Sequence, residues 1–201
     1  MAKRILLVGG GSGGHAYPLV AVAQALRKNA QQRGVPLELL MLGQAGFLNI
    51  AAREHQIPHK TILAGKFRRY FSPLVVWDVA KIPLSLVQSL WHVFWFMPNV
   101  VFSKGGYDSV MPVIVAWLYR IPVYIHESDT MPGFANRLGA SFAKLIFTSF
   151  PGAARYFPGK ATTLVGNPVR QELLVGDKVA ALEYFKLRPG IRTIFVLGGS
   201  Q

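Results

Sequence analysis

Short apolar runs alternate along this chain with longer stretches of helical period. Ile5–Val8, Leu37–Leu42, His59–Leu63, Val100–Ser103, Pro122–His126, Lys144–Thr148 and Thr162–Val165 read as strands. Several are almost continuously apolar, as expected of strands covered on both faces of a parallel sheet. Between them, Ala16–Arg33, Gly46–His55, Pro73–Met97, Ser109–Tyr119 and Gly133–Ser141 read as helices. This βαβα order predicts an α/β fold, with a doubly wound, Rossmann-like, mostly parallel sheet.

The pattern changes near Val165. Gly166-Asn167-Pro168-Val169-Arg170 is rich in turn formers, and a polar helical stretch, Asp177–Leu187, leads to Arg188-Pro189-Gly190. A new apolar run, Thr193–Leu197, then enters Gly198-Gly199-Ser200-Gln201. The expected organisation is one Rossmann-like domain over 1–165 and an interdomain linker over 166–190. The first strand and glycine loop of a second domain would follow over 191–201. Such a chain is a truncated protein, a gene fragment or one half of a split protein.

Candidate chemistry gathers where strands end. Gly9-Gly10-Gly11-Ser12-Gly13-Gly14-His15 follows the first strand and opens the first helix. Five glycines in that space exceed the needs of a turn and suit a backbone that approaches a ligand closely. The helix N-terminus adds partial positive charge there. Gly9, Gly11 and Gly14 fit the dinucleotide fingerprint, but that fingerprint also wants an acid after the second strand. This chain has Gly43-Gln44 at that place, so the dinucleotide reading weakens. His15 is placed as a general base or as a contact to a substrate hydroxyl or phosphate, with a structural helix-start histidine as the plain alternative.

A second glycine pair, Lys104-Gly105-Gly106-Tyr107, follows the Val100–Ser103 strand. Two such loops on one sheet edge favour a substrate carrying phosphate or pyrophosphate. A left-handed turn capped by Asp108 or Ser109 is the structural alternative. His126-Glu127-Ser128-Asp129 ends another strand and suits hydroxyl binding or acid–base work. No metal centre is predicted, because the ligands are few and the surroundings are basic.

Charge narrows the partners. The chain has 22 basic and 9 acidic residues, a net charge of +13, and no cysteine. Disulfides and thiolate metal sites are thereby excluded. The excess positive charge calls for an anionic partner, but the basic residues are scattered and no nucleic-acid motif is present. The apolar stretch Pro73–Met97 carries Trp77, Trp91, Phe94, Trp95 and Phe96, and lies just after Lys66-Phe67-Arg68-Arg69-Tyr70-Phe71. Its most apolar part is broken by polar residues and is too short to span a bilayer. Phe67, Arg68, Arg69, Trp91, Phe94 and Trp95 are therefore expected to form a peripheral surface on an anionic leaflet. An ordinary buried helix beside a solvated basic loop is the alternative. No signal peptide is recognisable at the N-terminus, which points to the cytoplasmic face.

Five motifs together resemble the MurG-type glycosyltransferases of peptidoglycan synthesis. They are Gly9–His15, Lys104–Tyr107, His126–Asp129, Pro132-Gly133-Phe134-Ala135-Asn136-Arg137 and Gly166–Arg170, in the family's order. The resemblance covers nearly the whole chain. It implies the N-terminal domain of a GT-B enzyme, with no cofactor. The implied reaction is inverting transfer of N-acetylglucosamine from UDP-N-acetylglucosamine to lipid I, the undecaprenyl-pyrophosphoryl-muramoyl peptide. The product would be lipid II. On that resemblance Ser12, Gly13, Gly14, Asp129, Arg170 and Ser200 contact the donor and His15 is the base. Gly105, Gly106, Tyr107 and Glu127 serve the acceptor.

Two departures stand out. Ser12 replaces a family threonine and keeps the hydroxyl. His126-Glu127-Ser128-Asp129 stands where the better-known pattern has His-Glu-Gln-Asn, so an ionised Asp129 accepts a hydrogen bond but cannot donate one. Without the missing C-terminal domain, the chain is expected to be inactive alone. The alternatives are a transferase half for another lipid-linked acceptor and a non-catalytic membrane-surface module.

Overall fold

The computed structural model describes residues 2–65 and 74–196, with residues 74–80 described by their backbone alone. Seven strands form one wholly parallel sheet: β1 (Lys3–Val8), β2 (Leu37–Gly43), β3 (His59–Thr61), β4 (Val100–Ser103), β5 (Val123–Glu127), β6 (Leu145–Thr148) and β7 (Thr162–Leu164). Their order is β3-β2-β1-β4-β5-β6-β7. The helices are α1 (Gly13–Gln32), α2 (Phe47–Glu54), α3 (Leu74–Phe96), α4 (Val110–Leu118), α5 (Phe134–Ala140) and α6 (Lys178–Tyr184). The α/β, doubly wound fold expected from the sequence is the one formed.

The period of two along each strand divides the core. Leu7 of β1, with Leu39 and Met41 of β2, packs on Leu19, Val20 and Ala23 of α1 and on Leu48 and Ala51 of α2. Leu6 and Val8, with Leu40 and Leu42, face the opposite way, toward Val93 of α3 and Val113 and Ala116 of α4. A strand buried on both faces has to be apolar at successive positions, which is why Leu6-Leu7-Val8 is continuously apolar and fully buried.

The winding direction reverses between β1 and β4. From β1 the chain proceeds outward to β2 and β3. It then returns through α3 to β4 and continues to the other edge. Ligands of such sheets bind outside the strand carboxyl ends at this reversal. The glycine loops after β1 and β4 are therefore adjacent. Lys104 N–H donates to Val8 O at 2.8 Å, and Gly10 N–H donates to Gly105 O at 3.0 Å.

One sequence expectation fails within the described residues. Thr193 to Val196 form no strand and are exposed. An isolated strand has no ladder to satisfy its backbone groups, so apolar character alone does not make one here. The Gly198–Gln201 loop, including Ser200, lies outside the described residues, as do Phe67, Arg68 and Arg69.

Candidate active site at the sheet reversal

The loop after β1 is shaped by close backbone approaches. Phe47 N–H donates to Gly11 O at 3.0 Å, pinning the loop to the start of α2. A Cβ at Gly43 would collide with the Gly9 carbonyl oxygen and with Leu48. The end of β2 thus has no room for a side chain at Gly43, where a dinucleotide site would want its ribose acid. The next residue, Gln44, gives its main-chain N–H to Asp108 Oδ2 at 2.9 Å. Asp108 is buried and ties the second strand's end to the turn after β4.

That turn depends on glycine. Gly106 has φ +94°, and a Cβ there would lie 2.7 Å from Gly10 Cα. Only a residue without a side chain lets the two loops touch. Gly105, at φ +87°, packs its α-carbon face on the Asn136 amide.

His15 sits in the first turn of α1 between these loops. Its Nδ1 is 3.2 Å from the Lys104 carbonyl oxygen. A carbonyl only accepts, so Nδ1 carries the proton and Nε2 keeps the basic lone pair. Burial, followed by the nearby Lys104 charge, pushes the His15 pKa below its ordinary value. The ring is therefore neutral near pH 7, the state a proton acceptor requires. Ser12 precedes the helix without capping it by its side chain. The first N–H groups of α1 have no partner within the helix, which suits an anionic ligand.

Two hollows meet at His15. One, of about 520 Å³, is lined among others by Gly14, Lys104, Glu127, Ser128, Asp129 and Asn136. The other, of about 450 Å³, is bordered by Gly10, Gly11, Ser12, Gln44, Phe47 and Asp108. Gly106 and Tyr107 border both.

The carboxylate of Glu127 is held at both oxygens. Oε1 accepts from Asp129 N–H at 2.8 Å and Oε2 from Asn136 Nδ2 at 2.9 Å. Asn136 Nδ2 also reaches the His126 carbonyl at 3.3 Å. Lys104 is buried, and its Nζ donates to Ser128 Oγ. Burial pushes its pKa down, while Glu127 and Asp129 act in the opposite direction.

The sequence-selected residues fall into three groups. His15, Gly14, Gly106, Tyr107, Glu127 and Asp129 line the first hollow, and Ser12 lines the second. Gly105 lies behind the wall, and Gly13 packs beside Tyr17. Arg170 lines neither hollow. Its guanidinium stacks 4.2 Å above the Tyr17 ring, on the outer side of α1. Trp91, Phe94 and Trp95 are away from the site on α3, exposed and in edge-to-face contact. Leu84 and Val87 extend the same stripe. Among the described residues no helix is long and apolar enough to cross a membrane.

Sequence reasoning gave no role to Asp108, Asn136 or the Lys104 side chain. Asn136 stood within a quoted motif, but its link to Glu127 is a contact across the fold. Among the described residues no cluster of His, Cys, Asp or Glu is suited to hold a metal ion.

Comparison with known proteins agrees with this geometry. Residues 5–148 match the glycosyltransferase family 28 N-terminal domain. The UDP-N-acetylglucosamine–N-acetylmuramyl-(pentapeptide) pyrophosphoryl-undecaprenol N-acetylglucosamine transferase of Treponema pallidum is 39% identical over 203 residues. That alignment covers 100% of this chain and 52% of the relative. The crystal structure of Acinetobacter baumannii MurG superposes with a TM-score of 0.66 at 26% identity, covering 84% of this chain and 47% of that one. The UDP-GlcNAc 2-epimerase from Neisseria meningitidis, bound to UDP-GlcNAc, shares the fold. Its TM-score is 0.63 at 15% identity, over 92% of this chain and 52% of that one. The chain spans about half the length of the curated relatives it matches. With a family match across most of its sheet and MurG-type relatives along its whole length, this chain belongs to the glycosyltransferase family 28 N-terminal domain family.

Proposed function

We propose that this chain is the acceptor-side part of a MurG-type transferase. In this reading N-acetylglucosamine passes from UDP-N-acetylglucosamine to the 4-hydroxyl of the muramoyl sugar of lipid I, giving lipid II. The observation that carries the proposal is the state of His15. A neutral imidazole with a protonated Nδ1 leaves Nε2 as the base, at the junction of two hollows walled by glycine loops.

The acceptor hydroxyl gives its proton to Nε2 as its oxygen bonds to the anomeric carbon. The bond from that carbon to the UDP oxygen breaks on the opposite face, so the configuration inverts. Negative charge grows on the departing diphosphate, where the amino end of α1 offers unpaired N–H groups. Ser12, Gly13 and Gly14 would meet the donor there, together with Asp129. Arg170 and Ser200 would reach the donor once a second domain is present. Gly105, Gly106, Tyr107 and Glu127 would position the acceptor. The aromatic stripe of α3, with Phe67, Arg68 and Arg69, would rest on an anionic membrane at its cytoplasmic face and bring the site to a lipid substrate.

The chain alone is proposed to be inactive, because its relatives are about twice its length. The test supplies a donor-binding C-terminal domain in trans and measures transfer of labelled N-acetylglucosamine to a lipid I analogue. Transfer that needs both parts and disappears in His15→Ala supports the reading. Transfer by the 201 residues alone contradicts the proposed inactivity. Unchanged turnover in His15→Ala removes His15 as the base.

A further inference from the structure

Lys104 is an unusual group for its position. It is only 2% exposed, yet it lines the larger hollow. Its ammonium bonds a single hydroxyl, that of Ser128, although an ammonium has N–H donors to spare. The nearest carboxylate does not complete it. Both oxygens of Glu127 are already committed to Asp129 N–H and Asn136 Nδ2, and Asp129 is exposed to solvent. A buried cation whose only protein partner is neutral is costly to the folded state, and such charges are retained where a ligand supplies the opposite charge.

The surroundings define that ligand. Lys104 stands at the base of the Gly105–Gly106 turn, and its own carbonyl orients His15. An anion on Nζ would therefore lie in the same hollow as the proposed base, beside backbone that glycine keeps clear of side chains. The hollow, at about 520 Å³, admits more than a single phosphate. We propose that the Lys104 ammonium is the charged receptor for a diphosphate ester in this hollow, with Ser128 holding the ammonium in place. This deepens the transferase reading and rests on it for the source of the diphosphate, taken to be the lipid-linked acceptor.

A receptor lysine and a merely structural one differ in a measurable way. Replacing a structural group weakens the fold. Replacing a buried charge kept for a ligand leaves the fold as stable or makes it more stable, while binding is lost. The experiment titrates the 201-residue chain with inorganic pyrophosphate, geranyl diphosphate and UDP, by calorimetry and by thermal shift. Lys104→Gln should weaken pyrophosphate binding about tenfold or more, with a melting temperature equal to or above that of the parent. Lys104→Arg should keep much of the affinity, and Lys28→Gln, on the exposed side of α1, should keep all of it.

Geranyl diphosphate binding more tightly than UDP supports the acceptor as source. UDP binding more tightly moves the diphosphate to the donor and overturns that assignment. Equal pyrophosphate affinity in the parent and Lys104→Gln overturns the proposal, as does failure of the parent to bind pyrophosphate. Should Lys104→Gln not fold, NMR of the parent decides. A shift of the Lys104 side-chain signals with pyrophosphate supports the proposal, and its absence refutes it. Diphosphate binding that depends on Lys104, in a chain that supports no transfer when complemented, would refute the transferase reading and leave this receptor intact.

Discussion

The imidazole Nε2 of His126 lies 2.9 Å from the carbonyl oxygen of Gly166. It joins the end of β5 to the first residue past the sheet. The carbonyl fixes the proton on Nε2, so Nδ1 is left as a buried acceptor with no partner among the described residues. Protonating Nδ1 would place an uncompensated charge there, close to the Lys104 ammonium. Burial, the largest influence, pushes the His126 pKa below its ordinary value, and Lys104 adds to this. The Gly166 hydrogen bond opposes them only in part.

The consequence for stability has a definite sign. A histidine whose pKa is lower in the folded state than in the unfolded chain favours folding at neutral pH. That contribution is complete above the unfolded value of about 6.5 and is lost as pH falls toward the folded value. Urea unfolding at about pH 7.5 and pH 5.5 should show reduced stability at the lower pH. His126→Gln, which retains an N–H donor but does not titrate, should reduce this dependence. His15 and His92 shift in the same direction and maintain the remainder. An equal slope in the variant would show that His126 is not among the groups responsible.

Asp108 gives a second, structural prediction. Its Oδ2 accepts the Gln44 N–H at 2.9 Å, and its side chain is buried between the second and fourth strands' ends. Asp108→Ala leaves that N–H without its acceptor. A loss of about 1–3 kcal/mol is expected from urea denaturation. Removing the carboxylate should also lower the His15 pKa further, because Asp108 acts to raise it. NMR titration of the His15 ring checks the direction.

Much of this arrangement was legible in the sequence, for a physical reason. Strands buried on both faces must be apolar at successive positions, so Ile5–Val8 and Leu37–Leu42 announced themselves within a residue or two. Glycines packed against other backbone cannot be replaced, so Gly105-Gly106 marked the second loop before its contact with Gly10 was visible. Contacts between distant segments left no such signal. Nothing in Lys104-Gly105-Gly106 says that the lysine side chain turns inward to Ser128, or that its carbonyl takes the His15 proton. Arg170 was grouped with donor contacts through its motif, whereas here it rests on Tyr17. The apolar Thr193–Leu197 run illustrates the opposite limit. A strand-like composition forms a strand only where a neighbour is present to pair with it.

The exposed stripe on α3 makes a third prediction. Trp91 and Trp95 are 61% and 65% exposed and touch each other edge to face at 5.5 Å. They contribute little to the core, so replacing both with serine should leave the melting temperature nearly unchanged. Binding to phosphatidylglycerol vesicles should fall by about tenfold or more, since each indole suits the headgroup boundary. Added salt should weaken binding of the parent as well, because the +13 chain meets an anionic surface. Vesicle co-sedimentation with phosphatidylglycerol and with phosphatidylcholine separates the two contributions. Retained binding in the double variant would move the membrane contact away from α3.

Gly14 and Gly106 make the sharpest paired prediction, because they separate ligand approach from folding. A Cβ at Gly106 would lie 2.7 Å from Gly10 Cα, and its φ of +94° strains any other residue. Gly106→Ala is expected to destabilise the chain by about 2 kcal/mol or more, or to prevent folding. At Gly14 a Cβ meets nothing within 4 Å, and the residue lies inside the first turn of α1. Gly14→Ala should therefore keep or raise stability, by up to about 1 kcal/mol, through the better helix propensity of alanine. The same methyl group would project from the lining of the larger hollow. If donor groups approach the helix start there, transfer in the complemented assay should fall while the melting temperature does not. Full transfer by a stable Gly14→Ala would show that no ligand comes within van der Waals reach of this glycine, and the anion contact would then have to be made elsewhere in the loop.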